Sequence, residues 1–380
     1  MNENIPFNKP FLTGREIARI EDALRGGKLS GDGPYTTACS KFIEEKTGAK
    51  KALLTHSGTA ALEMAVILAG IQPGDEVILP SYTFVSTATA FVLRGAIPVF
   101  CDVRADTLNI DEAKIEELIT KKTRAIVPVH YAGVSCEMNK ILDLADSYGL
   151  AIIEDAAQGI MSTYHGSHLG SIGNYGCYSF HETKNIISGE GGALLLREEK
   201  DIERAEIIIE KGTNRSRFLI GQVDKYTWVD VGSSYLPSEM VAAFLMAQLE
   251  RADWITKRRL ELWDIYYRDL DVLEAQGLVK LPIIPEGCVH NGHIFYLLLP
   301  SLEVRTKFIE KMKEAGIGCH FHYQSLHSSP YGLRVGKTPS PMEVTERASD
   351  CLVRLPLWVG LESHIDRVIS QTIRTIKSLV

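Results

Sequence analysis

From about residue 51 onward, short and almost wholly apolar runs alternate with helical patterns, and few architectures tolerate that rhythm. The runs are EVIL at 76–79, IPVFC at 97–101, AIVPV at 125–129, LAIIE at 150–154, GCYSF at 176–180 and ALLL at 193–196. Helical patterns at 59–69, 84–93, 111–120 and 137–148 lie between them. A strand that is apolar on both faces cannot border water, so the pattern predicts an α/β fold with a mostly parallel sheet covered on both sides. Upstream, Thr13-Gly14-Arg15-Glu16 reads as a capping box opening a helix whose Ile17, Ile20 and Leu24 share one face, ended by Gly26 and Gly27. A long helical stretch runs from near Ser238 toward Leu270. Beyond it the rhythm changes: a Pro-rich turn at 282–287, strands at 294–299 and 317–322, and helices at 303–315 and 364–378. The chain thus divides into a large α/β domain, residues 1–250, and a smaller C-terminal α+β domain, residues 251–380.

Charge narrows the function. There are 41 Lys and Arg against 48 Asp and Glu, a formal net charge of −7. Polyanion or anionic-membrane binding needs concentrated positive charge, so nucleic acid and membranes are disfavoured as partners. The best basic run, Lys257-Arg258-Arg259, falls on the long helix and reads as a solvated face. A phosphate held by this chain must therefore be held by a few placed groups. The seven cysteines (39, 101, 136, 177, 288, 319 and 351) are scattered and never spaced CxxC, which predicts reduced thiols and no structural zinc. No apolar run reaches the roughly 18–20 residues of a membrane helix. MNENIPFNKPF lacks the marks of a signal peptide. The expected compartment is the cytoplasm.

Four features fall where strands end, which is where open α/β sheets place ligands. Ser57-Gly58-Thr59 feeds the apolar helix AALEMAVILAG, offering first-turn amides and a positive dipole end to a phosphate; it also reads as an ordinary serine cap. Tyr82 and Phe84 follow the strand EVIL and suit either a core or a cover for a planar ring. Asp155 ends the strand LAIIE with Gln158 just after it, as an ion pair, a cap or a partner for a cationic ligand. Lys184 lies past a buried strand and is braced by Gly189-Glu190-Gly191-Gly192, a setting for a desolvated amine of low pKa. An anion seat, an aromatic cover, a carboxylate and an amine are the four parts that pyridoxal 5'-phosphate requires.

The stretches HSGTAALEMA (56–65), GDEVILPSYTFVSTATAF (74–91), EDAAQG (154–159), YSFHETKN (178–185), GEGG (189–192), KGTNR (211–215), DKYTW (224–228) and AAFLMAQLE (242–250) resemble the DegT/DnrJ/EryC1/StrS sugar aminotransferases nearly end to end. These are fold-type-I pyridoxal-phosphate transferases of the aspartate aminotransferase superfamily. SFHETKN, VPVHYAGVSCEM and VDKYTWVDVGSSYL are most similar to the dTDP-4-amino-4,6-dideoxygalactose transaminase subgroup. The resemblance implies that Lys184 is the Schiff-base lysine and Asp155 the partner of the pyridine nitrogen. It places Gln158 near the cofactor's phenolic oxygen, Phe84 on its ring, and Gly58, Thr59 and Ser179 on its phosphate. Where many relatives place an asparagine that reaches the neighbouring subunit's phosphate site, this chain has Ser234. FHYQSLH (321–327) resembles a family HYxPLH segment, which makes His322, Tyr323 and His327 candidates for the sugar pocket, with structural histidines the alternative. A metal reading of His320, His322 and His327 lacks an acidic or cysteine partner. Lys28, Lys211, Arg215 and Lys225 are candidates for a substrate diphosphate. The implied partners are L-glutamate and a dTDP-4-keto-6-deoxy sugar, with a homodimer whose active sites lie at the interface. Dehydratases of this fold carry histidine in place of the lysine, and residue 184 is lysine.

Overall fold

The computed structural model describes residues 4–219 and 221–380. Strands β1 (Lys51–Thr55), β2 (Glu76–Pro80), β3 (Ile97–Cys101), β4 (Thr123–Ile126) and β5 (Ala151–Asp155) precede a short hairpin, β6 (Thr163–Tyr164) and β7 (Ser167–His168). Then come β8 (Tyr175–Ser179) and β9 (Gly192–Leu196). Seven of these form one sheet in the order β1-β9-β8-β5-β4-β2-β3. All neighbouring pairs are parallel except those of β9, which runs antiparallel to β1 and β8. The sheet is thus mostly parallel, and the exception has a simple cause. Residues 180–191 return the chain beside β8 without a crossover helix, so β9 can only run backwards. Because β9 is buried on both faces like its neighbours, its composition does not disclose its direction.

The edge strand β1 is not among the apolar runs of the sequence. Its burial alternates, with Lys51 and Leu53 partly exposed, as an edge permits. Helix Gly58–Leu68 is buried along almost its whole length and packs on β8 and β9. The helical pattern at 111–120 becomes two 3₁₀ turns, Glu112–Lys114 and Glu116–Leu118, the first capped by Asp111. The stretch from Ser238 is two helices, Glu239–Leu249 and Ala252–Ala275. Helices Pro34–Thr47, Ile202–Ile209 and Glu343–Cys351 have no counterpart among the sequence patterns.

At the first helix, Glu16–Gly26, half of the capping box forms: the Glu16 carboxylate accepts the Thr13 amide at 2.7 Å. Thr13 Oγ1 accepts from Arg15 N at 3.2 Å, one residue short of the box's position. The face expected to be buried points outward. Ile17 is 68% and Leu24 49% exposed, while Glu16 and Ala23 turn inward.

A second core gathers Leu262, Trp263, Phe295, Phe308, Val353 and Ile365, and the N-terminal Ile5 joins it. Ile5 donates to the Gly316 carbonyl and accepts from Gly318 N, so the N-terminal arm lies against the C-terminal layer. That layer holds a sheet of β11 (Tyr296–Leu298), β13 (Leu352–Arg354) and β12 (His320–Phe321), while β10 (Cys288–Val289) pairs with β6. Helix Ile365–Leu379 covers it with Ile365, Val368, Ile369, Thr372 and Ile376, an i, i+3, i+4, i+7 stripe. Each fully buried aliphatic of this stripe contributes about 1.5–3 kcal/mol. Among the described residues, no helix is long and apolar enough to cross a membrane.

Candidate active site

The loops after β2, β5 and β8 leave the sheet on the same side and meet over one cavity of about 760 Å³. Its wall is closed by β12 and the segment after it, by the end of β13, and by Phe7 and Asn8 of the N-terminal arm. Gly58, Thr59, Phe84, Asp155, Gln158, Ser179, Lys184, His322 and Tyr323 all line it. Local motifs more than a hundred residues apart in sequence are thereby assembled into one site.

One end of the cavity is a helix N-terminus. Ser57 caps helix Gly58–Leu68, its Oγ accepting the Ala60 amide at 3.1 Å. This is the ordinary cap, and it leaves the first-turn amides over for a ligand. Packing around the turn is tight enough to require glycine. A Cβ on Gly58 would come within 2.9 Å of Ser179 Cβ, and one on Gly192 within 2.4 Å of the Ser57 carbonyl. The GEGG segment thus holds the anion seat in place from behind. Thr59 Oγ1 donates to Ser86 Oγ at 2.8 Å, so two hydroxyls flank the same turn.

Asp155 is fixed by two donors: Thr87 Oγ1 at 2.6 Å on Oδ2 and the Ala157 amide at 3.1 Å on Oδ1. Thr83 in turn bonds Thr87 at 2.8 Å. Gln158 accepts from Ala132 N through Oε1 at 2.7 Å and donates through Nε2 to the Tyr323 hydroxyl at 3.0 Å. Phe84 is 57% exposed toward the opening, its ring centroid 6.4 Å from that of Tyr323.

Burial pushes the Lys184 amine down to about 8; the Asp155 charge opposes this and the Arg354 charge adds to it. A lysine in this state is neutral about a tenth of the time at pH 7, far more than an ordinary lysine, and becomes a competent nucleophile as pH passes 8. His293 is held well below its usual value by burial and by the nearby charges of Lys184, Arg259 and Arg354. It stays neutral, and its Nδ1–H donates to Asn185 Oδ1 at 2.8 Å.

Other candidates lie elsewhere. His327 bonds Ser81 Oγ through Nδ1 at 2.7 Å and faces Glu346, outside the cavity lining. His322 turns instead to the Tyr131 hydroxyl at 3.1 Å, and His320 packs on Phe7. The three histidines therefore do not converge. Lys211 and Arg215 both engage Glu210, at 2.9 and 3.1 Å. Lys28, Lys225 and Ser234 also lie away from the lining, Ser234 bridging the backbone of Glu210. Residue 220, within the 211–226 loop, lies outside the described residues.

Some lining residues have no counterpart in the sequence reading. Arg259, taken there as part of a solvated basic face, is 6% exposed and donates to the Gly292 and His293 carbonyls at 3.1 and 2.8 Å. Arg354, His293, Thr83, Ser86 and Phe7 were not singled out. The one signal for Arg354 is a cation interrupting the apolar run LVRLPL.

The donor set fits pyridoxal phosphate. A glycine-lined helix N-terminus with flanking hydroxyls faces an oriented carboxylate and a low-pKa amine, with an open aromatic ring beside them. Comparison with known proteins agrees. Residues 10–373 match the model of the DegT/DnrJ/EryC1/StrS aminotransferase family. The chain is 32% identical to the UDP-4-amino-4-deoxy-L-arabinose–oxoglutarate aminotransferase of Shewanella sediminis, covering 97% of each. It is 33% identical to the spore coat polysaccharide biosynthesis protein SpsC of Bacillus subtilis, over 97% of this chain and 96% of that one. Its fold superposes on Streptococcus pneumoniae Spr1654 in the PLP form with a TM-score of 0.90, 26% identity and full coverage of both chains.

Proposed function

Because the chain belongs to the DegT/DnrJ/EryC1/StrS aminotransferase family, we propose that it moves the amino group of L-glutamate to C4 of dTDP-4-keto-6-deoxyglucose, giving dTDP-4-amino-4,6-dideoxygalactose. It is a sugar aminotransferase of fold type I, and its cofactor is pyridoxal phosphate. The observation that carries the proposal is Lys184, an amine with its pKa lowered to about 8, set across from the oriented Asp155 in one cavity. The choice of C4 and of glutamate draws support from the Shewanella relative, whose name joins a 4-amino sugar nucleotide to oxoglutarate. The choice of dTDP and of the galacto product rests on SFHETKN and VDKYTWVDVGSSYL.

In this reading the amides of Gly58 and Thr59 and the hydroxyls of Thr59 and Ser179 seat the cofactor phosphate. Phe84 would cover the ring, Gln158 would lie near its phenolic oxygen, and Asp155 would pair with its nitrogen. Bound pyridoxal phosphate supplies an aldehyde to carry the amino group and a pyridine ring to accommodate charge left on carbon. Lys184 Nζ would take a proton from the donor's Cα in the first half of the reaction and deliver one to C4 of the sugar in the second, which an amine of pKa about 8 performs in both directions. Thr87 and Ala157 N keep Asp155 from rotating away. Tyr323 and His322 border the remaining space and would meet the sugar.

The test is the NMR spectrum of the product after incubation with glutamate and a panel of 4-keto sugar nucleotides. A 4-amino-4,6-dideoxygalactose product from the dTDP substrate is expected. A gluco product, or turnover confined to a UDP sugar, would reassign the substrate within the same chemistry.

The reading includes a homodimer. In one protomer Leu12, Ile17, Leu24 and Leu29 are all exposed, and Trp228 is 79% exposed. A second copy would bring Ser234 to the neighbouring phosphate seat. Size-exclusion chromatography should give a species near twice 42.1 kDa; a fully active monomer would remove Ser234 from the site. The division at residue 250 and a cytoplasmic setting remain parts of this proposal.

A further inference from the structure

Residues 291–293 of the C-terminal layer touch both loops that carry the reactive groups. Asn291 is fully buried, and its Nδ2 donates to the Gln158 and Ile160 carbonyls, each at 2.8 Å, in the loop that follows Asp155. Its own carbonyl accepts Asn185 Nδ2 at 2.9 Å, so the residue after Lys184 is tied to the same point. A carbonyl can only accept, which turns the Asn185 amide so that Oδ1 faces His293 Nδ1 at 2.8 Å. Both polar ends of Asn185 are thus engaged by one short segment. That segment is itself fixed from behind. Arg259 donates to the Gly292 and His293 carbonyls, and Trp263 Nε1 to that of Ile294 at 3.1 Å. Gly292 has a φ of +61°, and a Cβ there would meet the Arg259 backbone at 3.0 Å, so segment and helix Ala252–Ala275 are in direct contact. Burial pushes the Arg259 guanidinium down to about 10, with no opposing charge among the described residues. Its bonds to two carbonyls offset part of that cost and hold the segment still.

We propose that Asn185, through Asn291 and His293, is the positioning residue that holds the Lys184 loop at a fixed distance from the loop of Asp155 and Gln158. The inference rests on the transaminase reading and says what keeps the amine and the carboxylate in register with one ring. Within residues 180–191 the backbone closes on itself, Ser188 N donating to the Phe180 carbonyl and Glu182 N to the Gly189 carbonyl. Across the cavity the loop is tied by Asn8 Nδ2 to the Glu182 carbonyl, an exposed bond of 3.3 Å, and by the bonds of Asn185. The charges that act on Nζ are those of Asp155 and Arg354. His293 is neutral and does not compete with Lys184 for a proton; its part is the N–H it gives to Asn185. Loss of the tie would let the loop move outward and water reach Nζ, and a displacement of about 1 Å is enough to slow a reaction about a hundredfold.

The experiment compares N185A, H293L and H293N as full-length chains with wild type. In N185A kcat should fall about ten- to a hundredfold, with the KM for glutamate and for the keto sugar nucleotide within about twofold. Capture of pyridoxal phosphate by the apoprotein, read as the borohydride-reduced adduct, supplies the second measurement. Its midpoint should move upward from about 8 by about half a unit or more, because a hydrated amine returns toward 10.5. H293L removes one of the two bonds and should show both changes to a smaller degree; it carries the test if N185A does not fold. H293N places an amide nitrogen near the position of Nδ1 and should recover most of the loss seen in H293L. Either an unchanged kcat or an unmoved capture profile in N185A would overturn the proposal, whatever the melting temperature of the variant. So would H293N as impaired as H293L, since the ring and not its bond to Asn185 would then be needed. A failure of the transaminase reading looks different: the wild-type chain would form no reducible adduct and take no amino group from glutamate.

Discussion

Lys184→Ala will still bind pyridoxal phosphate but will lose transamination by roughly ten-thousandfold or more, because nucleophile and proton carrier are removed together. The phosphate seat at Gly58, Thr59 and Ser179 does not involve the lysine, so cofactor retention survives the change. Borohydride treatment followed by mass spectrometry separates the two effects. Wild type should gain the reduced cofactor as a covalent adduct, and the variant should release it on denaturation. Turnover of Lys184→Ala at the wild-type rate would refute the assignment. The lowered pKa adds a pH signature. Below about 8 the amine is protonated and has no lone pair, so capture of the aldehyde by apoprotein should accelerate as pH rises through about 8 rather than 10.5. The same shift has a stability consequence. The folded value lies below the unfolded one, so between about 8 and 10.5 the unfolded chain binds more protons and stability increases with pH. At pH 7 the burden is fully present, up to about 3 kcal/mol for a shift of this size. Lys184→Met apoprotein should accordingly melt higher than wild type at pH 7 and lose that advantage above pH 10.5.

What made this site readable in the sequence is that its central residues belong to short loops bound to strand ends. Lys184 sits between β8 and a glycine turn, and Asp155 closes β5; the alternation of strands and helices then fixes which edge of the sheet they share. Arg354, Arg259, His293 and Phe7 reach the cavity differently. They come from the C-terminal layer and the N-terminal arm, and only tertiary packing (Ile5 against Gly316 and Gly318) brings them to the sheet. Arg259 shows the difficulty at a single residue. In the run Lys257-Arg258-Arg259 the three side chains look equivalent, but helix Ala252–Ala275 turns them by about 100° each, so Arg258 pairs with Glu362 at the surface and Arg259 goes inside. The outward face of Ile17 and Leu24 is the same problem reversed. Periodicity detects an apolar stripe but not whether the protomer or a neighbour covers it. Direction is also lost in a doubly buried strand, which is why β9 read like its parallel companions.

Asp155→Asn should reduce turnover by about a hundred- to ten-thousandfold while changing cofactor affinity far less. The carboxylate's role in the proposed reaction is to keep the pyridine nitrogen protonated, and a protonated ring is what accommodates negative charge as Lys184 removes the Cα proton. Asparagine can fill the same space and keep the Ala157 amide bond through its carbonyl, but it carries no charge to stabilise the cation opposite. Breaking one side of a buried ion pair costs about 3–5 kcal/mol, and each 1.36 kcal/mol is tenfold in rate, which sets the range. Two further readouts separate this role from simple loss of structure. Because the Asp155 charge raises the pKa of Lys184, its removal should shift the aldehyde-capture profile to lower pH, a change that misfolding would not produce. Thr87→Val, which removes the 2.6 Å donor to Oδ2 but leaves the charge, should lower turnover by only about tenfold, the worth of one charge-assisted hydrogen bond, and should leave that profile in place. Should Asp155→Asn turn over like wild type, the carboxylate would be a structural anchor for Thr87 and nothing more. The amine of Lys184 would then have to work against a ring that some other group keeps charged, and among the residues lining the cavity no second carboxylate is held by two donors as Asp155 is.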